Sequence, residues 1–358
     1  MPLAMLRDGL SAIADRVAPR TRCRLSIGRR LTDYCAGRLS LPQLTIRVAE
    51  RADSGAGRHV VAIARDRDRI TISCHEWMLS DKPNELFHRL VGLLTIVTRV
   101  PLIDFQMIAD LSDGEDGGPG MVGLCSRDPT AILIPDHGFI RTRGQENHRR
   151  VARANATDWM KRSDQIVWRG ATTGRGAISK PDLSAHDTEL LLRIRLCLAL
   201  KDIPGTDAKL SGVAQSRDQA VDVHRLSQAG ILGEYISPIA WNGRKFAIDI
   251  DGNANAFSNL LTRLIMGCCV LKVASPLGYR QWYYDALEPW THYVPVSPDL
   301  SDLRDRIAWC REHLAECERI AARGQAFAMA RDYDSEVAAA ARRLCTAYET
   351  GALRRTLD

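Results

Sequence analysis

Short apolar runs broken by Gly, Asp and Arg occupy the first third of the chain, and longer apolar-periodic stretches occupy the rest. "LTIRVAE", "HVVAIARD" and "RITISCH", within 44–75, alternate or cluster β-branched residues, which predicts three strands. "PNELFHRLVGLLTIVTRV" over 83–100 spaces its apolar residues as a helix does, with Pro83 in the first turn. "FQMIADL" reads as a strand entering the acidic, Gly-rich loop "SDGEDGGPG" at 112–120, and "AILIPDHGFI" as a buried strand halted at Pro135. From 140 to 162 the chain turns basic and polar, as a helix or connector between two domains would.

The second half is cleaner. "QIVWRGATTGRG" predicts a strand and a Gly/Thr loop, "DTELLLRIRLCLAL" a helix, and "KFAIDIDG" a strand. "NLLTRLIMG" predicts a helix, "CCVLKVA" and "HYVPVS" strands, and 299–330 one long helix capped by Asp299 or Ser301. "EVAAAARRLCTAYETGALRRTLD" is an Ala-rich helix expected to pack back on the other domain. Strands alternating with helices argue for parallel α/β layers. At 358 residues two domains are the default, with boundaries expected at 1–150 and 151–335 and a returning helix at 336–358.

Composition narrows the class without choosing a function. Apolar residues make up 45% and charged residues 26%, which excludes a disordered or membrane-embedded chain. The net charge of +6 favours anionic partners such as phosphates or an acidic membrane surface. With only 6% aromatic residues a base-stacking surface is not indicated, so no nucleic-acid partner is expected. Ten cysteines are scattered with no CxxC pair, which argues against zinc and for reduced thiols in a cytoplasmic protein. The first 20 residues mix acids with apolar positions and do not read as a signal peptide.

Two strand-terminal loops carry candidate chemistry. In "IVWRGATTGRG", Arg169 and Arg175 bracket glycines and hydroxyls, a composition that suits a diphosphate because guanidinium forks match phosphate oxygens. An ordinary βα turn with surface arginines has the same look. In "FAIDIDGNANAFSNLL" a strand hands over to a helix through Gly252, Asn253 and Asn255, and Ser258 could cap the helix or face an anion. Neither GxxxxGK[ST] nor a GxGxxG following a strand is present, so P-loop and dinucleotide readings lack support.

The order "VWRGATTG", "KFAIDIDGNANAFSNLLTRLIMGCCVLKV" and "YRQWYYDALEPWTHYVPVSPDLSDLRDRIAWC" resembles glycosyltransferase family 90, strongly over about 165–330 and more weakly over 70–164. The resemblance is to its capsule-associated and lipopolysaccharide-modifying bacterial branch, related to protein O-glucosyltransferases. It implies an α/β, GT-B-like fold, two Rossmann-like domains facing a cleft. It further implies inverting transfer from a UDP-sugar without a metal or other cofactor, to a glycan or glycolipid acceptor. By position, Arg169, Gly170, Ala171, Thr172, Thr173 and Arg175 would contact the donor. Gly252, Asn253, Asn255, Ala256, Phe257 and Ser258 would wrap its nucleotide. Ala171 stands where eukaryotic members have serine, and Ser258 where many have an arginine beside the phosphates.

Inverting transfer needs a carboxylate at the acceptor hydroxyl. Asp81 is the positional candidate, with Asp110 and Asp113 as strand-end rivals, while Asp136 and His137 fall on the acceptor side. The basic 141–162 segment suits peripheral contact with the inner face of a membrane. Two rivals stay open: a non-catalytic nucleotide- or glycan-binding relative, and another sugar-nucleotide enzyme.

Overall fold

A computed structural model describes residues 19–51 and 56–357, so most of the segment read for a targeting signal lies outside the described residues. Two compact units emerge, one holding 19–137 and 337–357 and the other holding Gly138–Glu336. The division falls inside the last helix.

In the amino-terminal unit α1 (Pro19–Arg38) precedes β1 (Thr45–Glu50), β2 (Val60–Asp66), β3 (Arg69–Cys74), α2 (Glu76–Ser80), α3 (Pro83–Val97), β4 (Asp104–Asp110), β5 (Val122–Gly123) and β6 (Ile132–Leu133). The sheet order is β1-β3-β2-β4-β5-β6. Only Arg67 and Asp68 separate β2 from β3, too few residues for a crossover, so the pair closes as a hairpin with Arg67 at φ 48°. β2 therefore runs antiparallel to both neighbours and the sheet is mixed, whereas a Rossmann layer is parallel throughout. The stretch read as a strand over 131–140 pairs through only two residues before Pro135, then becomes a helical turn. The tail beyond the last helix bonds to this sheet beside β4: the Ile108 N–H donates to the Arg354 carbonyl at 2.9 Å, and the Arg354 N–H to the Gly120 carbonyl at 2.8 Å.

The other unit continues with α4 (His137–Arg141), α5 (Glu146–Ala154), β7 (Ser163–Ala171), α6 (Leu192–Leu200), β8 (Thr206–Gly212), α7 (Gln219–Gln228), β9 (Arg244–Asp249), α8 (Ser258–Ile265), β10 (Cys269–Val273), β11 (Val294–Val296), α9 (Leu303–Glu312), α10 (Leu314–Met329) and the first turn of α11 (Tyr333–Glu349), whose remainder belongs to the amino-terminal unit. All five strands are parallel in the order β11-β10-β9-β7-β8. β9 and β10 are covered on both faces, which is why they read as mainly apolar runs. The core joins Trp168, Ile194, Leu196, Phe246, Ile248 and Leu271. Eight of the ten cysteines are buried.

Two predicted boundaries shift for identifiable reasons. The helix read over 299–330 is two helices, because His313 leaves helical geometry at φ −121°, ψ 49° with its ring stacked on Trp309 at 4.8 Å. Asp299 closes a local turn, accepting from the Ser301 N–H and hydroxyl, and α9 begins after Asp302.

Central strands also carry charge. The Lys272 ammonium lies 3.5 Å from the carboxylate of Asp249, which is fully buried, and 4.5 Å from the centre of the Tyr284 ring. Removing one partner of a buried pair leaves an uncompensated charge. Lys272→Met is expected to lower unfolding free energy by about 3–5 kcal/mol, read as a fall in the urea midpoint at unchanged slope.

Candidate functional site

The strand order of the second unit changes direction between β7 and β9, since β7 leads out to β8 on one side while β9 leads to β10 on the other. Loops leaving adjacent parallel strands in opposite directions open a crevice at their carboxyl ends. A cavity of about 370 Å³ lies there, walled by Leu190, Leu192, Pro276, Leu277 and Tyr279, with polar groups supplied by the two loops.

One buried guanidinium fixes both loops. Arg193, in the first turn of α6, donates to the Ile250 and Asp251 carbonyls at 3.2 and 2.8 Å on the β9 side. On the β7 side it donates to the Ala171 carbonyl at 3.1 Å and the Thr173 hydroxyl at 2.7 Å. Burial lowers its pKa, and Asp249 and Asp251 oppose that shift. The loops also meet directly, the Gly174 N–H donating to the Asn253 side-chain oxygen at 2.9 Å. A Cβ at Gly252 would lie 2.6 Å from the Thr173 hydroxyl, so only glycine permits this approach.

Of the expected donor-contact residues, Thr173, Arg175, Gly252 and Asn253 line the cavity, together with Gly174, Asp251 and Arg193. Arg175 is exposed at the rim and makes no hydrogen bond or ion pair among the described residues. Asp251 is buried, which raises its pKa, and accepts from the Asn255 amide at 3.3 Å. Its second oxygen is buried, and the Ser275 hydroxyl also bears on the carboxylate. The cavity thus offers a buried acceptor at one point and free positive charge at its mouth.

Other expected donor contacts hold the framework. Arg169 is braced within the sheet, paired with Asp207 at 2.6 Å and donating to the Trp168, Asp207 and Glu234 carbonyls at 2.8, 2.7 and 2.9 Å. It does not line the cavity. The Trp168 indole lies against Gly170, where a Cβ would come within 2.5 Å of the ring. Thr172 is buried, its hydroxyl both donating to and accepting from the Ala214 backbone at 2.7 Å. Asn255 is buried and donates to the Tyr279 carbonyl, and the Ala256 carbonyl accepts from the Asn259 N–H. Phe257 takes the strained N-cap position of α8 at φ 44°, and Ser258 opens that helix beside a second, smaller cavity.

The acids of the first unit differ in availability. Asp110 is buried, both of its oxygens accept from Ser112, and burial raises its pKa. Asp113 pairs with Arg89 at 3.1 Å. Asp81 ends α2 with its carboxylate exposed, accepting only the Ser80 hydroxyl at 2.6 Å. Asp136 is buried and His137 half-buried, both at the start of α4. Among the described residues no group of three His, Cys, Asp or Glu side chains could hold a metal ion, and no helix is long and apolar enough to cross a membrane.

The family model for glycosyl transferase family 90 matches residues 130–349, more than half the chain and all of the two-loop site. The chain belongs to glycosyl transferase family 90. The match begins near β6 and ends with α11, leaving most of the amino-terminal sheet outside it. Frog virus 3 (isolate Goorha) has a relative, Uncharacterized protein 027R, 32% identical over 178 residues, covering 46% of this chain and 18% of that protein. Protein O-glucosyltransferase 3 of Homo sapiens is 25% identical over 257 residues, covering 67% of this chain and 45% of that protein. The chain thus spans less than half the length of either. Among solved structures, Anabaena Alr3699/HepE in complex with UDP-glucose is 15% identical at a TM-score of 0.35, covering 57% of this chain and 53% of that one.

Arg193 escaped the sequence reading, although an arginine inside the apolar run "LLLRIRLCLAL" is the signal that could have revealed it. Arg193→Met is expected to strip four hydrogen bonds from buried acceptors and destabilise the fold by roughly 3 kcal/mol or more, measured by urea unfolding. Arg169→Ala should also lower the melting temperature while leaving affinity for any ligand of the cavity unchanged; a calorimetric titration checks this.

Proposed function

We propose that this family 90 protein is a glycosyltransferase that binds a UDP-sugar in the two-loop cavity and passes the sugar to a hydroxyl of a glycan or lipid-linked glycan precursor. The observation that carries this reading is the Arg193-fixed crevice at the carboxyl ends of β7 and β9, with an unpaired Arg175 at its mouth. Leu190, Leu277 and Tyr279 would enclose the base. Arg175 and the Gly174–Gly252 backbone would meet the phosphates. The resemblance of the sequence supports a GT-B arrangement and an inverting reaction in which cationic side chains stabilise the leaving diphosphate without a metal.

The base role falls to Asp81, whose carboxylate is open to solvent, whereas Asp110 and Asp113 are held by Ser112 and Arg89. Arrival of an acceptor at the inner face of a membrane remains part of the reading, but with fewer charges than the sequence count offers. Arg149 donates to the Gly144, Ala328, Met329 and Arg331 carbonyls, and Arg162 to Thr157, Met266 and Gly267. Those two arginines are internal braces. The non-catalytic reading draws on Ala171 and on the brace role of Arg169, which together remove two donor contacts the family resemblance implies.

Titration calorimetry with UDP, GDP and UDP-glucose tests the donor. UDP and its sugar should bind and GDP should bind at least tenfold more weakly, and Arg175→Ala should reduce UDP affinity about tenfold, the equivalent of one surface charge–phosphate contact. No binding of any uridine nucleotide would remove the reading. Asp81→Asn should leave UDP affinity unchanged and cut sugar transfer by roughly 10²–10⁴; wild-type UDP binding with no transfer to any glycan would favour the non-catalytic relative.

A further inference from the structure

The turn ahead of β11 carries a tryptophan that its backbone does not favour. Residues 288–293 close on themselves, the His292 N–H donating to the Glu288 carbonyl at 2.9 Å and the Trp290 N–H to the Tyr293 carbonyl at 2.7 Å. Trp290, at the tip, takes φ 63°. Glycine and asparagine enter that left-handed region readily, whereas a bulky aromatic residue there is strained. Burial does not account for it, since Trp290 is 37% exposed.

Two more rings continue the same surface. Trp309 of α9 meets Trp290 at 4.8 Å between ring centres, nearly perpendicular at 73°. His313, where the backbone leaves helical geometry after α9, stacks on Trp309 at 4.8 Å and 11°. Its Nδ1 donates to the Trp309 carbonyl at 2.9 Å, which leaves Nε2 as an acceptor on an exposed ring. Departures from regular backbone at Trp290 and His313 thus assemble one strip of three rings. The turn beneath it is held firmly. A Cβ at Gly324 of α10 would come within 2.7 Å of the His292 carbonyl, and the His292 ring packs on Phe327 at 4.7 Å.

The rim decides what could cover these rings. Asp305 and Glu312 lie one turn to either side of Trp309 on α9, Glu288 opens the turn, and all three are exposed. Arg304 and Arg311 donate elsewhere, to the Ala199 and Pro204 carbonyls. Arg306 pairs with Asp302 at 3.0 Å and lies 5.1 Å from the centre of the Trp290 ring. Exposed carboxylates do not suit a phosphate or an anionic membrane surface, and an apolar partner would bury them unmatched. Arg306 already holds the cation–π position over Trp290, which disfavours a second cation there. A neutral sugar meets every condition: its C–H face packs on an indole while its hydroxyls donate to the carboxylates and to His313 Nε2.

We propose that the Trp290–Trp309–His313 strip is a carbohydrate-binding platform on which the rings of a neutral glycan stack, separate from the two-loop cavity. Pro276, Leu277, Pro298 and Asp299, at the carboxyl ends of β10 and β11, line that cavity, whereas Trp290 stands before the amino end of β11. Binding at the platform needs no nucleotide and does not depend on the donor reading.

The test follows Trp290 by fluorine NMR in the full chain labelled with fluorotryptophan, its signal assigned by its loss in Trp290→Phe. The probes are cellohexaose, maltohexaose and mannohexaose at millimolar concentration, with phosphatidylglycerol vesicles, hexalysine and UDP as controls. A saturable shift with at least one hexasaccharide is expected, and Trp290→Asn should weaken that binding about tenfold by calorimetry. Asparagine suits the left-handed backbone, so this variant should keep or raise the urea midpoint. Sugar binding without UDP binding would remove the donor reading and leave the platform standing. The platform is overturned if no hexasaccharide moves the signal, or if vesicles or hexalysine move it where sugars do not. Unchanged sugar affinity in Trp290→Asn overturns it too, as does failure of that variant to fold, because the ring is then a packing element.

Discussion

The Arg193 guanidinium joins two loops that the chain itself does not join. Residues 171–173 and 250–251 are some eighty positions apart, and each presents backbone carbonyls or a hydroxyl where its strand has ended. Loop ends of this kind lose ladder partners and need others once they are buried. A single planar donor with five N–H groups can satisfy both at once, and its rigidity sets their spacing. Lysine, a flexible point donor, could not reach the same four acceptors. The cavity is therefore a property of a helix residue more than of the loops that line it.

That arrangement depends on the sheet beneath it. Parallel strands β7 and β9 lie side by side because the order β11-β10-β9-β7-β8 reverses direction between them. The strands are buried on both faces, yet β9 and β10 carry Asp249 and Lys272, and Asp251 follows at the strand end. Negative charge accumulates directly under Arg193 and offsets the cost of burying it. Arg263, the sixth residue of α8, is buried against the face of the Trp241 ring instead.

Legibility in the sequence followed burial. Strands such as "FAIDI" and "CVLKV" were readable because both faces are covered and each run is apolar but for one charged residue. β8 was not readable, since an edge strand with only Ala208 and Leu210 buried looks like a polar loop. The two site loops were found from glycine and asparagine content, which reports backbone freedom directly. Which arginine faces the cavity could not be read, because guanidinium composition says nothing of direction: Arg169 turns to Asp207 across the sheet, and Arg193 was hidden in a helix that looked wholly apolar. The candidate acids were equally opaque. Asp81, Asp110 and Asp113 look alike as letters and differ only in what holds them, which is a tertiary fact.

Crystallography of the protein soaked with UDP examines the central claim most directly. The account predicts nucleotide density between Thr173–Arg175 and Asp251–Asn253, with all four Arg193 hydrogen bonds retained. Nucleotide bound elsewhere with that crevice empty, or bound only after Arg193 has released one loop, would contradict it.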